Sequence, residues 1–127
     1  LEEEALIPRV EELGRRLETG LDSLKKACPS VVAGHRGQGL MRCIFTRDPR
    51  YGLMVSSILM KDHRMILPSM AHAPYVLRMS PPFICSDVDI DRILDSLGEA
   101  CARVKEMGLP GIDRYMREVG KKLAEGS

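Results

Sequence analysis

The stretch Tyr75-Val76-Leu77-Arg78-Met79-Ser80-Pro81-Pro82-Phe83 constrains the fold of this chain more than any other. It reads as a strand that ends on a double proline, with one arginine in its apolar middle. Strand alternation puts Val76, Arg78 and Ser80 on one face and Tyr75, Leu77 and Met79 on the other. An arginine flanked by apolar residues is costly to bury unless an anion meets it. Its planar fork matches a carboxylate in two-pronged fashion. Arg78 is therefore either half of an internal ion pair or a receptor for an acidic ligand.

The rest of the chain supplies helices and a few more strands. Leu6, Val10, Leu13, Leu17, Leu21 and Leu24 recur in steps of three and four, with Cys28 closing the stripe, which predicts a first helix. Pro8 fits the first turn of a helix and not its interior. Either the helix starts near Pro8, or one from upstream kinks there, and Pro29 stops it. Val31 to Ala33 is a short strand, His35-Arg36-Gly37-Gln38-Gly39 a turn, and Leu40 to Thr46 a strand. The turn lacks the glycine fingerprint and following helix of a phosphate loop. Its glycines suit positive φ or close approach of two paired strands. Asp48-Pro49 opens a helix over Tyr51 to Lys61, with Val55, Ile58 and Leu59 facing inward. Arg64 to Leu67 alternates as a strand, and Pro68 to Pro74 is a loop.

Ser86-Asp87-Val88-Asp89 has the form of a capping box. The helix behind it carries Ile90, Ile93, Leu97, Cys101 and Val104 on one stripe, and Gly108-Leu109-Pro110-Gly111 ends it. A last amphipathic helix follows, with Ile112, Tyr115, Met116, Val119 and Leu123 apolar. The order predicts an α+β fold, a two-layer sandwich in which a small, mainly antiparallel sheet is covered by helices. It is one domain over 1–127, with a connecting helix at 1–28, a sheet-and-helix core at 31–107 and an extra terminal helix at 111–125.

A net charge of +1 with dispersed basic residues argues against nucleic acid or an anionic membrane as the main partner. No apolar run approaches the ~20 residues of a membrane helix. Leu1-Glu2-Glu3-Glu4 is acidic where a secretory start would be basic, and the first residue is not Met, so the chain is expected to continue something longer. Cys28, Cys43, Cys85 and Cys101 form no C-x-x-C pair, and His35, His63 and His72 are scattered, so no metal site is expected. Reduced, packed cysteines suit the cytoplasm.

With the elements in this order, the chain resembles the C-terminal small domain of the class III aminotransferases, pyridoxal-phosphate enzymes related to the ornithine, acetylornithine and 4-aminobutyrate aminotransferases. Leu1 to Leu24 is similar to the helix leading from the large domain. Val32-Ala33-Gly34-His35-Arg36-Gly37-Gln38-Gly39-Leu40-Met41 resembles the family's Val-Arg-Gly-x-Gly-Leu-Met stretch, with His35 in place of the valine. Val76 to Phe83, followed by the acidic helix start at Asp87 to Asp91, is the third match. The chain departs from the pattern at Asp62-His63, where a glycine turn is common, at Phe83, and in a last helix that reaches beyond the usual end.

The resemblance implies a role for Arg78, which in members acting on amino acids binds the substrate α-carboxylate. Arg36 is read differently: its place between a strand end and two glycines looks architectural, holding the turn or pairing across a domain boundary. The resemblance also implies a fold-type I parent with pyridoxal 5'-phosphate, a large cofactor-binding domain, an amino acid or amine as substrate, and a homodimer. The Schiff-base lysine, the acid at the pyridine nitrogen and the phosphate cup belong to that large domain. Lys25, Lys26, Lys61, Lys105, Lys121 and Lys122 all fall on helix faces or ends and read as solvated. The chain alone is thus expected to be inactive. Other readings stay open: a stand-alone small-molecule binding or interaction module that kept the fold without catalysis, or an aminomutase parent.

Overall fold

A computed structural model describes residues 2–70, 72–79 and 86–126, with side chains in the first helix from residue 8 onward. Ser80, Pro81, Pro82, Phe83 and Cys85, and the side chain of Leu6, fall outside the described residues. The elements are α1 (Glu2–Ala27), β1 (Val32–Gln38), β2 (Met41–Thr46), α2 (Pro49–Asp62), β3 (Ser69–Met70), β4 (Ala73–Met79) and α3 (Asp87–Gly126). α3 is two helical arms joined at Gly108, whose φ of 65° and ψ of 172° are not helical. The sheet order is β1-β2-β4-β3, every pair antiparallel.

All three helices sit on one side of this sheet, α1 against β1, α2 against β4, and both against α3. Leu13, Leu17 and Leu21 of α1, Ile44 of β2, Leu77 and Met79 of β4, and Ile90 and Leu97 of α3 are essentially inaccessible. They meet in one core with Val55, Ile58 and Leu59 of α2. This is the two-layer α+β arrangement that the hydrophobic patterning predicts. α1 runs through Pro8, which settles the choice at that residue: the helix already exists upstream of it.

The helix starts are chemically explicit. Asp48 has extended backbone and accepts from Arg50 N at 2.9 Å, with Pro49 in the first helical position. Arg50 returns the contact through Nε and Nη2 and reaches Asp113 Oδ2 at 2.9 Å through Nη1, so one guanidinium joins the α2 cap to the second arm of α3. Those bonds from Arg50 hold the Asp48 carboxyl below the usual carboxylate range. At α3, Ser86 N donates to Asp89 Oδ2 at 2.8 Å and Asp89 N to Ser86 Oγ at 3.3 Å, a reciprocal capping box.

Three local expectations are corrected. His35 to Gln38 is strand and not turn; β1 runs on to Gln38, and the hairpin turns at Gly39 and Leu40. Gly37 explains why a strand can continue here. A Cβ on it would lie 2.0 Å from Met41 O and 2.8 Å from Arg42 Cα, so only glycine lets the two backbones come this close. Second, Arg64 to Leu67 is not a strand. Met65 N donates to Leu59 O and Ser56 Oγ to Leu67 O, so this backbone is satisfied by α2 instead of a sheet ladder. Third, the loop expected over Pro68 to Pro74 holds β3 at Ser69–Met70 and the start of β4 at Ala73.

Arg64 follows the end of α2 with a φ of 51°, the left-handed region that favours glycine. Its side chain is exposed. Arg64→Gly should therefore stabilise the domain by about 1 kcal/mol. The measurement is the midpoint of urea unfolding at unchanged slope; a lower midpoint would show that the arginine side chain matters more than its backbone strain.

Candidate functional site

The ladder register decides which side chains face away from the helices. Arg36 pairs with Cys43 and Cys43 with Arg78; one row over, Gly34 pairs with Phe45 and Phe45 with Val76. Paired residues share a face. The intervening rows, His35–Ile44–Leu77 and Gly37–Arg42–Met79, point into the helical layer, where Ile44, Leu77, Arg42 and Met79 are buried. The open face thus carries Arg36 and Arg78 on either side of a half-buried Cys43. Arg78 lies opposite Leu77 and Met79 as the alternation of β4 predicts, but Val76 on the Arg78 face is buried and Tyr75 on the other is exposed, so burial does not follow the alternation along the whole strand.

Arg78 is exposed and lines a shallow cavity of about 260 Å³ with Pro68, Ser69 and Met70, at the β3–β4 edge of the sheet. Its backbone N donates to Pro68 O at 3.1 Å, which fixes the strand against that rim. No carboxylate among the described residues pairs with its guanidinium. Arg36 is likewise exposed and has no side-chain partner among the described residues, so it does not hold the hairpin turn.

That work falls to Arg42, which sequence reasoning passed over. Its side chain is 7% exposed. Nε donates to Gly39 O at 3.1 Å, Nη2 reaches Gly14 O at 3.5 Å, and Glu18 of α1 lies 3.9 Å away. The signal was present: Arg42 is in phase with Ile44 and Thr46 on the buried side of β2. His35 also crosses to α1, its Nε2 2.7 Å from Asp22 Oδ1.

The described lysines are all exposed, and Lys61 Nζ donates to the Tyr115 hydroxyl at 3.1 Å. Lys61 also lines a cavity of about 220 Å³ with Asp62, Arg103 and Tyr115. No group of three or more His, Cys, Asp or Glu is placed to hold a metal among the described residues. Cys28, Cys43 and Cys101 are free thiols. Burial pushes the Cys101 thiol up to about 12. No described helix is long and apolar enough to cross a membrane.

No family model matches the chain. Among curated proteins it is 32% identical over 106 residues to the acetylornithine aminotransferase of Thermosynechococcus vestitus, covering 82% of this chain and 25% of that protein. It is 29% identical over 107 residues to the L-lysine-epsilon aminotransferase of Streptomyces clavuligerus, covering 84% and 23%. The chain spans about a quarter of the length of the curated relatives it matches. A solved mutant of M. tuberculosis Rv3290C superposes with a TM-score of 0.74 at 26% identity, over 81% of this chain and 23% of the other. The omega transaminase of Pseudomonas jessenii, at 21% identity, shares the fold with a TM-score of 0.73 over 87% of this chain and 25% of its own. By sequence and by fold, the chain belongs to the class III aminotransferases as the counterpart of their C-terminal small domain.

Proposed function

We propose that this chain is the small domain of a pyridoxal-phosphate-dependent aminotransferase, and that Arg78 binds the carboxylate of the substrate. The observation that carries this reading is the placement of Arg78: exposed, on the open sheet face, beside a cavity, with no carboxylate partner among the described residues. An arginine left in that state can receive a planar carboxylate through two parallel N–H donors and so orient the attached amine. The rigid β2–β4 ladder supports the orientation, because Leu77 and Met79 on either side of Arg78 are locked in the core.

In the parent, bound pyridoxal phosphate would supply the electron sink for amino-group transfer. The exposed lysines of this chain support placing the cofactor site in a separate large domain, with the isolated chain inactive. The partners in this reading are that large domain, a second copy of the parent in a homodimer, and a small amino acid or amine. The free Cys28, Cys43 and Cys101 suit a reducing compartment such as the cytoplasm.

The test is a hybrid in which this chain replaces the matching quarter of the Thermosynechococcus acetylornithine aminotransferase. Arg78→Ala in that hybrid should lower kcat/KM for α-amino acid donors by about 100-fold, the scale of losing one desolvated charge pair. A primary amine without a carboxylate should be used at an unchanged rate, and Arg78→Lys should recover part of the loss. Equal losses on both donor types would sink the carboxylate role.

A further inference from the structure

We infer that the groove between α2 and the second arm of α3 binds a linear fatty carboxylate, with its alkyl chain along the arm and its carboxylate on Lys61 and Tyr115. The inference does not depend on Arg78, which faces away from the helices.

Beyond the break at Gly108, the last arm of α3 lies beside α2, and two cavities open between them. The larger, about 340 Å³, is the size of a small-molecule pocket. Its walls are Leu53, Met116, Val119 and Leu123, four exposed apolar side chains, and buried Met54 lies between the two helices. No charged residue lines it. The smaller, about 220 Å³, adds buried Ile58 and the charged Lys61, Asp62 and Arg103. Met54, Ser57 and Tyr115 line both, so the two form one continuous groove, apolar at one end and charged at the other. From Tyr115 to Leu123 the arm rises about 12 Å, the reach of an alkyl chain of about ten carbons.

The charged end favours an anion. Its one acid, Asp62, is held by Arg103, and no carboxylate among the described residues forms an ion pair with Lys61. Lys61 Nζ donates to the Tyr115 hydroxyl at 3.1 Å, which leaves two ammonium donors and the Tyr115 O–H proton to give. That bond also holds the Lys61 ammonium above its usual range, so it stays charged at neutral pH. Ser57, one turn before Lys61 on the same face of α2, has no side-chain hydrogen-bond partner among the described residues. Donors thus gather where the groove turns from apolar to charged. A small anion would leave the apolar walls uncovered, and a bare hydrocarbon would leave the donors unmet. A fatty carboxylate answers both. Among the described lysines, Lys61 alone lines either cavity.

The experiment uses the chain itself, with isotope-labelled methionine methyls, titrated with butyrate, decanoate, decanol and decyltrimethylammonium below their micellar concentrations. Decanoate should shift Met54, Met107 and Met116, which line the groove, and leave Met41 and Met70, which do not. It should bind about tenfold more tightly than butyrate, which lacks the chain, and than decyltrimethylammonium, which carries the opposite charge. Lys61→Ala should weaken decanoate about tenfold, the scale of one charge-assisted hydrogen bond, and leave decanol as it was. Val119→Asp should weaken decanoate and decanol alike. Position 119 is exposed, and unchanged Met41 and Met70 signals check that this variant keeps its fold.

Equal binding of decanoate and decyltrimethylammonium, or decanoate binding that ignores Lys61→Ala, reduces the groove to an adhesive apolar surface and overturns the carboxylate site. Absence of decanoate binding overturns it as well. So do methyl shifts that follow protein concentration without any ligand, which would make the groove a seat for a second copy of the chain.

Discussion

Gly52→Ala should destabilise this domain by about 3 kcal/mol, although alanine is the better helix former by about 1 kcal/mol. Gly52 lies in the first turns of α2, where the helix passes over β4. A Cβ built there comes within 2.2 Å of Pro74 O and 3.2 Å of Tyr75 Cα. Those are backbone atoms of a strand that is paired on both sides, so no side chain can swing away to make room. The helix must lift from the sheet or the strand must bend, and Val55, Ile58 and Leu59 then lose contact with the core. Urea unfolding at constant slope measures this. A Gly52→Ala protein more stable than the parent would show that helix propensity wins and that the contact is looser than described.

Leu77→Ala should cost about 3 kcal/mol, within the range of buried leucine truncations that leave a cavity. Leu77 is 1% exposed, pairs with Ile44 across the ladder, and precedes Arg78 in the chain. Its burial also sets register. A one-residue slip of β4 would send Arg78 into the core and Leu77 to the open face, so the leucine is what makes the outward arginine the stable arrangement. The expected result is a lower unfolding midpoint together with broadened amide signals around Arg78. Full stability with an unperturbed Arg78 would mean that Met79 and Ile44 alone hold the strand.

Much of this was readable before any coordinates. The stripe Leu13, Leu17, Leu21, Leu24 and Cys28 is buried as its spacing demands, because a helix 3.6 residues per turn has only one face to offer a core. Asp48-Pro49 and Ser86 with Asp89 announce helix starts because few residue types can satisfy the free N–H groups there. The arginine that points outward from β4 is legible for the same reason as the strand, since both follow from a period of two.

What was not legible depends on partners far away in sequence. Met65 and Leu67 do turn inward while Ile66 is exposed, so the alternation read at Arg64 to Leu67 is real. Their backbone groups nonetheless bond to α2, and pattern alone cannot distinguish a packed coil from a paired strand. In β1, the glycines at Gly37 and Gly39 look like a turn because glycine marks both turns and close strand pairs. Arg42 was missed because a charged side chain reads as solvated until the carbonyls of Gly39 and Gly14 are brought to it.

The break at Gly108 divides cooperativity as well as direction. Before it, α3 buries Ile90, Leu97, Ala100, Cys101 and Val104; after it, Ile112 is the one fully buried apolar side chain among the described residues. The second arm is also held at its base by Asp113 on Arg50 and by Tyr115, which meets Lys61 and packs against the core. Its local opening therefore exposes little apolar surface and leaves the sheet intact, so it belongs to a lower rung of the unfolding ladder than the core. The same Arg50 guanidinium binds both the Asp48 cap and Asp113, so the base of the last arm is tied to the start of α2.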